Sequence, residues 1–220
     1  MKNLTLIIPA KNESECLPIV LDEIKILECK KKIILEATDH ETIDSIKDHD
    51  CEIIYQNQKG YGDALITGIN NVETDYLCIF NADGSFDPKY LREMLIKCEN
   101  YDYVFATRYL KGGGSDDDTF LTKFGNYFFS NLGKILFSLK LSDILFTYIL
   151  GKTDSFKSLN LSSKDFCLCV EIPIKVKRNN QNYCEISHQE RKRIAGKKKV
   201  NEFQDGFKIL IYMLKEFLKF

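Results

Sequence analysis

The chain has 220 residues, 29% of them charged, with a formal net charge of -1 and eight cysteines. That length fits one α/β domain with a real core and excludes two full-sized ones. No apolar run approaches the roughly 18 residues of a membrane span, and the segment ILIYML near the C-terminus is only a fragment, so any membrane contact is expected to be peripheral.

The cysteines form no CxxC pair, and several sit inside apolar runs as reduced core cysteines do, which argues against a disulfide framework. The N-terminal MKNLTLIIPA reads as a first strand rather than a cleaved leader, and the expected location is the cytoplasm. Charge is unevenly distributed: residues 2–118 carry 13 basic and 23 acidic side chains, residues 119–220 carry 18 and 9. A basic half beside an acidic one suits an anionic partner held next to a metal-binding region; nucleic acid, anionic lipid and a nucleotide diphosphate all qualify.

In chain order, LTLIIP predicts a strand, followed by a helix over about 13–29. The runs KKIIL, CEIIY, YLCIFNAD and YVFAT predict further strands with helices between them. This alternation is the pattern of a mostly parallel sheet with helices on both faces, whose ligand groups gather on loops after the strands. The polar segments to read are therefore 9–13, 36–39, 58–63 and 81–87. After Arg108 comes KGGGSDDD, expected to be a solvated mobile loop because Asp116, Asp117 and Asp118 repel one another. Next, Phe120, Phe124, Phe128, Leu132, Ile135 and Leu139 recur at helical spacing, with Lys123, Asn126, Ser130 and Lys134 on another stripe. A second apolar segment starts at Ile144, and DGFKILIYMLKEFLKF closes the chain. Residues 1–118 are expected to form the α/β core and 119–220 an elaboration of the same domain.

Three segments carry chemistry. In NADGSFDP, Asn81, Asp83, Ser85 and Asp87 gather hard oxygens where a strand ends, as Mg²⁺ or Mn²⁺ beside a diphosphate requires. The same turn also reads as a cap for a helix beginning near Pro88. In NQKGYGDAL, Gly60 and Gly62 let backbone approach a ligand and open a helix whose N-terminus favours an anion; by itself GYG is a weak signal, and a plain loop-to-helix turn is the commoner explanation. In HQERKRIAGKKK, His188, Arg191, Lys192, Arg193, Lys197, Lys198 and Lys199 surround Gly196, forming either a solvated face or a bendable loop that folds over phosphates.

Together with LTLIIPAKNE at the start, ATRYLKGGG and RIAGKKKVNEFQDGFKIL, these segments resemble the family two glycosyltransferases, in the dolichyl-phosphate mannosyltransferase-like and polyprenyl-phosphate branch. The resemblance implies a GT-A fold: a Rossmann-like, mostly parallel sheet flanked by helices, with C-terminal amphipathic interfacial helices. It implies that residues 1–118 are the nucleotide-sugar-binding part and that 119–220 carry the acceptor- and membrane-facing helices and the basic closing loop. It implies an inverting, metal-dependent transfer of a sugar from a GDP- or UDP-sugar to a polyprenyl or dolichyl phosphate. The enzyme would be cytoplasmic and peripheral at the membrane surface, binding its acceptor there by itself or through a separate membrane-anchoring subunit, and would not bind nucleic acid. Pro9, Lys11, Glu13, Glu36, Gly60, Gly62, Asn81 and Asp83 would bind the donor. Asn81, Asp83 and Ser85 would hold the metal. Arg108 and Lys123 would receive the acceptor phosphate, and Arg193 and Lys199 would close over the leaving diphosphate, so Asp83, Arg193 and Lys199 carry catalysis.

Three positions depart from the family pattern. LEATDHETI replaces an aspartate pair, which bears on the base; Asn81 replaces the first metal-motif acid; Lys198 replaces a loop serine. A phosphate acceptor is already an anion, so positioning and leaving-group stabilisation suffice. An enzyme acting on a saccharide or other soluble acceptor instead needs a carboxylate base, with Glu171 or Asp143 as candidates. A degenerate nucleotide-binding module and a nucleic-acid-binding protein are the remaining alternatives. His40 and His49 are expected at the surface, and His188 at most beside a phosphate.

Overall fold

The computed structural model describes residues 1–196 and 198–219. Lys197, counted above in the basic run, and Phe220 lie outside the described residues. The predicted strands all form: β1 (Leu4–Pro9), β2 (Lys30–Leu35), β3 (Glu52–Tyr55), β4 (Tyr76–Ile79) and β5 (Tyr103–Thr107). A two-residue strand β6 (Gly114–Ser115) follows, then β7 (Ile149–Lys152), β8 (Tyr183–Ser187) and β9 (Gln189–Glu190). The large sheet runs β3-β2-β1-β4-β7-β5-β8, and a small one pairs β6 with β9. Only β7 is antiparallel to its neighbours, sitting between β4 and β5. The segment starting at Ile144 thus supplies a central strand whose main-chain groups complete both ladders.

Burial follows the period-two logic of a sheet covered on both faces. On one face Leu6, Ile8, Ile33, Cys78 and Val104 pack on the helices α1 (Leu17–Glu23) and α4 (Leu91–Lys97). On the other, Ile7, Ile34, Leu77 and Phe105 pack on α3 (Tyr61–Asn70) and α7 (Leu168–Arg178). The remaining helices are α2 (His40–Ser45), α5 (Phe120–Phe137), α6 (Thr153–Ser158) and α8 (Glu202–Phe217). The first helix is shorter than its predicted span of 13–29, because Pro18 sets its start and a turn from Glu13 to Cys16 precedes it.

The amphipathic segment forms α5, opened by a capping box on Thr119. Its faces are reversed from the usual burial of a Phe stripe: Phe120 is 89% exposed and Phe124 62%, while Asn126, Phe129 and Ser130 are buried. The reason is local. Ser130 Oγ accepts from the Ile144 N–H at 3.1 Å, Asn126 donates to the Tyr109 hydroxyl at 2.8 Å, and Gly133 lets α5 settle on Ile144 and Leu139. The docked face is therefore Asn126, Phe129, Ser130, Gly133 and Phe137, while Phe120, Phe124, Phe128 and Ile135 face outward with Lys123 and Lys134. Helix α8 packs beside α5 through Ile209 and Met213, and leaves Phe203 and Phe207 exposed as well. Among the described residues no helix is long and apolar enough to cross a membrane.

Candidate active site

β1 and β4 are neighbours, and the chain leaves them in opposite lateral directions, toward β2 and toward β7. A crevice opens at the carboxyl ends of such strands. Here it is a cleft of about 660 Å³ lined by Pro9, Lys11 and Glu13 after β1, Glu36 after β2, Asn81, Asp83 and Ser85 after β4, and the loop carrying Arg193, Lys198 and Lys199. Its far wall is the start of α5 and of α8, including Leu121, Phe124, Asn126, Phe203 and Gly206.

Asp83 is the centre of the β4 loop. Its Oδ1 accepts from the Ser85 N–H at 3.0 Å and the Ser85 hydroxyl at 2.7 Å, and its Oδ2 pairs with Arg193 Nη2 at 2.9 Å. Asn81 Nδ2 donates to Ser85 Oγ at 3.3 Å. Arg193 also donates from Nη1 to both Glu13 oxygens at 3.0 Å, and Lys199 Nζ lies 3.7 Å from Glu13 Oε1. One guanidinium thus bridges the β1 and β4 loops, and the basic loop lies folded over the crevice. Burial opposes the Arg193 charge, but Asp83 and Glu13 outweigh it and hold its pKa above the usual arginine value. The cap expected from this turn forms on Asp87, a residue also expected among the oxygen ligands: it accepts from the Lys89 N–H and caps the 3₁₀ turn leading into α4, while Asp83 turns to Ser85 and Arg193.

The Asn81, Asp83 and Ser85 set fits a hard divalent cation that also takes phosphate oxygens: one carboxylate, one amide and one hydroxyl around a position that already faces a guanidinium. Among the described residues no group of three or more His, Cys, Asp or Glu gathers as a metal cage. A diphosphate would have to complete the coordination.

Several expected residues sit elsewhere. Gly62 is not in the cleft; a Cβ there would come within 2.2 Å of the Ser163 carbonyl oxygen, and one on Gly60 within 2.1 Å of the Lys164 carbonyl oxygen. The glycines admit protein backbone, not ligand, although Gly60 still borders the cleft. Glu36 is in the cleft but is paired with Lys11 at 2.9 Å, and its neighbour Asp39 caps α2 and accepts from the Asn12 N–H at 2.7 Å.

Arg108 and Lys123 are not brought together. Arg108 is at the cleft wall, yet it donates to Asp143 at 2.7 and 3.0 Å, to Glu190 at 3.2 Å and to Asp118 at 3.4 Å, and lies 4.5 Å from the Phe146 ring centre. Three carboxylates already surround that one charge. Lys123 is exposed on the first turn of α5 and does not line the cleft. The acidic loop, expected to be mobile, is tied down because each of its aspartates finds a partner, from the preceding strand end or from the basic loop and β9. Asp118 meets Arg108 and the Tyr109 hydroxyl, Asp117 pairs with Lys198 at 3.0 Å, and Asp116 accepts from Gln189 at 2.9 Å. Burial pushes the Glu190 carboxyl above its usual range despite Arg108.

Sequence reasoning missed the part played by Arg191. It donates to Glu23 at 2.7 and 2.9 Å and to the carbonyl oxygens of Gly84 and Phe86 at 3.0 and 2.8 Å, clamping the Asp83 loop to α1. Glu23 is 168 positions away, and nothing in the local sequence signals the pairing. His188 is fully buried among Phe86, Tyr90, Phe146 and Tyr148, and its Nε2 accepts from the Asp87 N–H at 3.4 Å. Burial lowers its pKa to about 4, so it is a neutral part of the aromatic packing under the site and not a phosphate neighbour.

Known proteins resemble this chain in sequence and in fold. An undecaprenyl-phosphate mannosyltransferase from Micrococcus luteus is 26% identical over 200 residues, covering 84% of this chain and 82% of that protein. A glucosyl-3-phosphoglycerate synthase from Mycobacterium tuberculosis, solved with Mn²⁺, uridine diphosphate and glucosyl-3-phosphoglycerate, superposes with a TM-score of 0.77 at 12% identity, covering 97% of this chain and 79% of that one. A mannosyl-3-phosphoglycerate synthase from Rubrobacter xylanophilus gives a TM-score of 0.75 at 14% identity, covering 98% and 74%. These likenesses identify the sheet and its helices as the GT-A fold expected from the sequence. The profile of the family described as Glycosyl transferase family 2 matches residues 5–159, well over half of the chain, and the chain belongs to that family of glycosyltransferases.

Proposed function

We propose that this chain transfers a sugar from a nucleotide-diphosphate sugar to a polyprenyl phosphate at a membrane surface. The observation that carries the reading is the cleft itself, which joins the Glu13, Asp83 and Arg193 cluster on one wall to outward-facing aromatics of α5 and α8 on the other. A helix pair showing Phe120, Phe124, Phe203 and Phe207 to the exterior suits the headgroup boundary, and Lys123 and Lys134 on α5 suit anionic lipid. The curated relative is named for a polyprenyl-phosphate acceptor.

In this reading the nucleoside lies against Pro9, Lys11 and Glu36, and the diphosphate under Arg193 and Lys199. A phosphate oxygen of the acceptor attacks the anomeric carbon as the bond to the nucleotide diphosphate breaks, and the leaving group keeps that electron pair. No proton need be removed, so no general base is required; the two candidate bases fit that, since neither lines the cleft. Asp143 is committed to Arg108, and Glu171 accepts from Ser162, Ser163 and Lys175. Mg²⁺ or Mn²⁺ held by Asn81, Asp83 and Ser85 would supply charge neutralisation at the diphosphate. Arg193 and Lys199 exchange Glu13 and Asp83 for the diphosphate and stabilise its growing charge.

The test is transfer from a panel of GDP- and UDP-sugars to polyprenyl phosphate, polyprenol and 3-phosphoglycerate, with Asp83→Ala and Arg193→Ala beside the parent. Transfer to polyprenyl phosphate is expected, with kcat reduced on the order of a hundredfold or more in each variant. Transfer to 3-phosphoglycerate alone would replace the lipid with a soluble acceptor. Donor binding without transfer to any of them would leave a nucleotide-binding module.

A further inference from the structure

A phosphate acceptor needs a cation at the far side of the cleft, and the expected one is already spoken for. Among the described residues the cations that line the cleft are Lys11, Arg108, Arg193, Lys198 and Lys199. Lys11 is paired with Glu36, and Arg193 and Lys199 turn to Glu13 on the donor side. Arg108 is enclosed by Asp143, Glu190 and Asp118. That leaves Lys198. It reaches from the basic loop to the acidic loop, meeting the Asp117 carbonyl at 2.8 Å and its carboxylate at 3.0 Å. Asp117 lines the cleft three residues before α5 begins at Phe120. The side chain of Lys198 is 42% exposed, so this pair is weakly held and open to exchange.

We propose that Lys198 is the residue that receives the acceptor's phosphate, releasing Asp117 to do so. The proposal rests on the phosphate-acceptor reading above. The exchange is favourable because a phosphate offers a denser negative charge and more acceptor oxygens than a half-exposed carboxylate. A lysine suits the task because its ammonium is a point charge on a flexible stem, able to swing from one anion to another. It also makes the loop serve both substrates: Lys199 turns to the donor side and Lys198, the next residue back, to the acceptor side. A phosphate monoester on a lipid and one on a soluble molecule present the same chemistry here, and the lipid source is separated by assay.

Steady-state rates are measured with polyprenyl phosphate, 3-phosphoglycerate and uncharged polyprenol for the parent, Lys198→Ala, Lys198→Arg and the exposed Lys192→Ala. Donor Kd and the slow hydrolysis of donor without acceptor are measured in parallel. Lys198→Ala is expected to raise KM for the phosphorylated acceptor that the parent uses by on the order of tenfold or more, with donor Kd and hydrolysis unchanged. Lys198→Arg should recover most of the loss, and Lys192→Ala should match the parent. An unchanged acceptor KM in Lys198→Ala overturns the assignment while the phosphate-acceptor reading stands. Equal losses in donor affinity and hydrolysis would also overturn it, since they would make Lys198 only a strap that holds the loop shut. A parent enzyme that uses polyprenol and neither phosphate removes the reading and the proposal together.

Discussion

Replacing Arg108 with alanine would remove the one guanidinium that three carboxylates share. Its Nε and Nη2 hold Asp143 at 2.7 and 3.0 Å, its Nη1 meets Glu190 and Asp118, and the Asp143 side chain is fully buried. Removing one partner of a buried ion pair costs about 3–5 kcal/mol, because the charge left behind has neither water nor a counterion. For a domain of this size each kcal/mol lowers Tm by about 2–4 °C, which gives a fall of roughly 6–20 °C. Glu190 is already held above the usual carboxylate range by burial, and losing Arg108 removes the charge that opposes that shift; its proton uptake then limits the loss, which should be smaller at pH 5 than at pH 7.5. Arg108→Lys should lie between, since an ammonium keeps the charge but loses the two-pronged contact with Asp143. Guanidinium unfolding at constant slope, with thermal melts at both pH values, measures this. A loss under about 1 kcal/mol with a raised acceptor KM would refute the reasoning, because it would mean that the Arg108 charge is spare and serves a ligand.

His188 titrates in the folded chain near 4 through its burial, against an ordinary value of 6.5, so between those values the unfolded chain binds a proton that the folded one does not. Stability should therefore fall as pH drops through that window, by at most about 1.4 kcal/mol per pH unit from this residue, and His188→Gln should flatten the slope in pH-dependent denaturation. Gly62→Ala should cost about 1–3 kcal/mol in the same assay, since its Cβ would sit 2.2 Å from the Ser163 carbonyl oxygen and main chain must shift. Phe124→Asp with Phe128→Asp should leave the melting curve within about 0.5 kcal/mol of the parent and abolish co-flotation with anionic vesicles at low salt, because both rings are exposed. Unfolding of that double variant would assign the stripe to the core instead.

The elements that the sequence made legible are those whose signal is local. Continuous apolar runs such as LTLIIP and YVFAT marked the parallel strands, because burial on both faces calls for apolar side chains at nearly every position. The motif NADGS placed Asp83 at a strand end because the oxygens it needs are neighbours in the chain. Arg193 and Lys199 were legible as a basic run around Gly196, and the structure adds that Glu13 and Asp83 hold them over the crevice. What the sequence could not disclose depends on which distant groups meet. The spacing of α5 showed two stripes but not which one docks; Tyr109 and the Ile144 backbone, by bonding Asn126 and Ser130, decided that the aromatic stripe faces outward. Arg108 looked free as a phosphate receptor until Asp143, Glu190 and Asp118 converged on it from 35, 82 and 10 positions away. A charge acts over a few ångströms of space whatever its separation along the chain. For that reason the tertiary fold alone determined which cations are paired and which remain exchangeable.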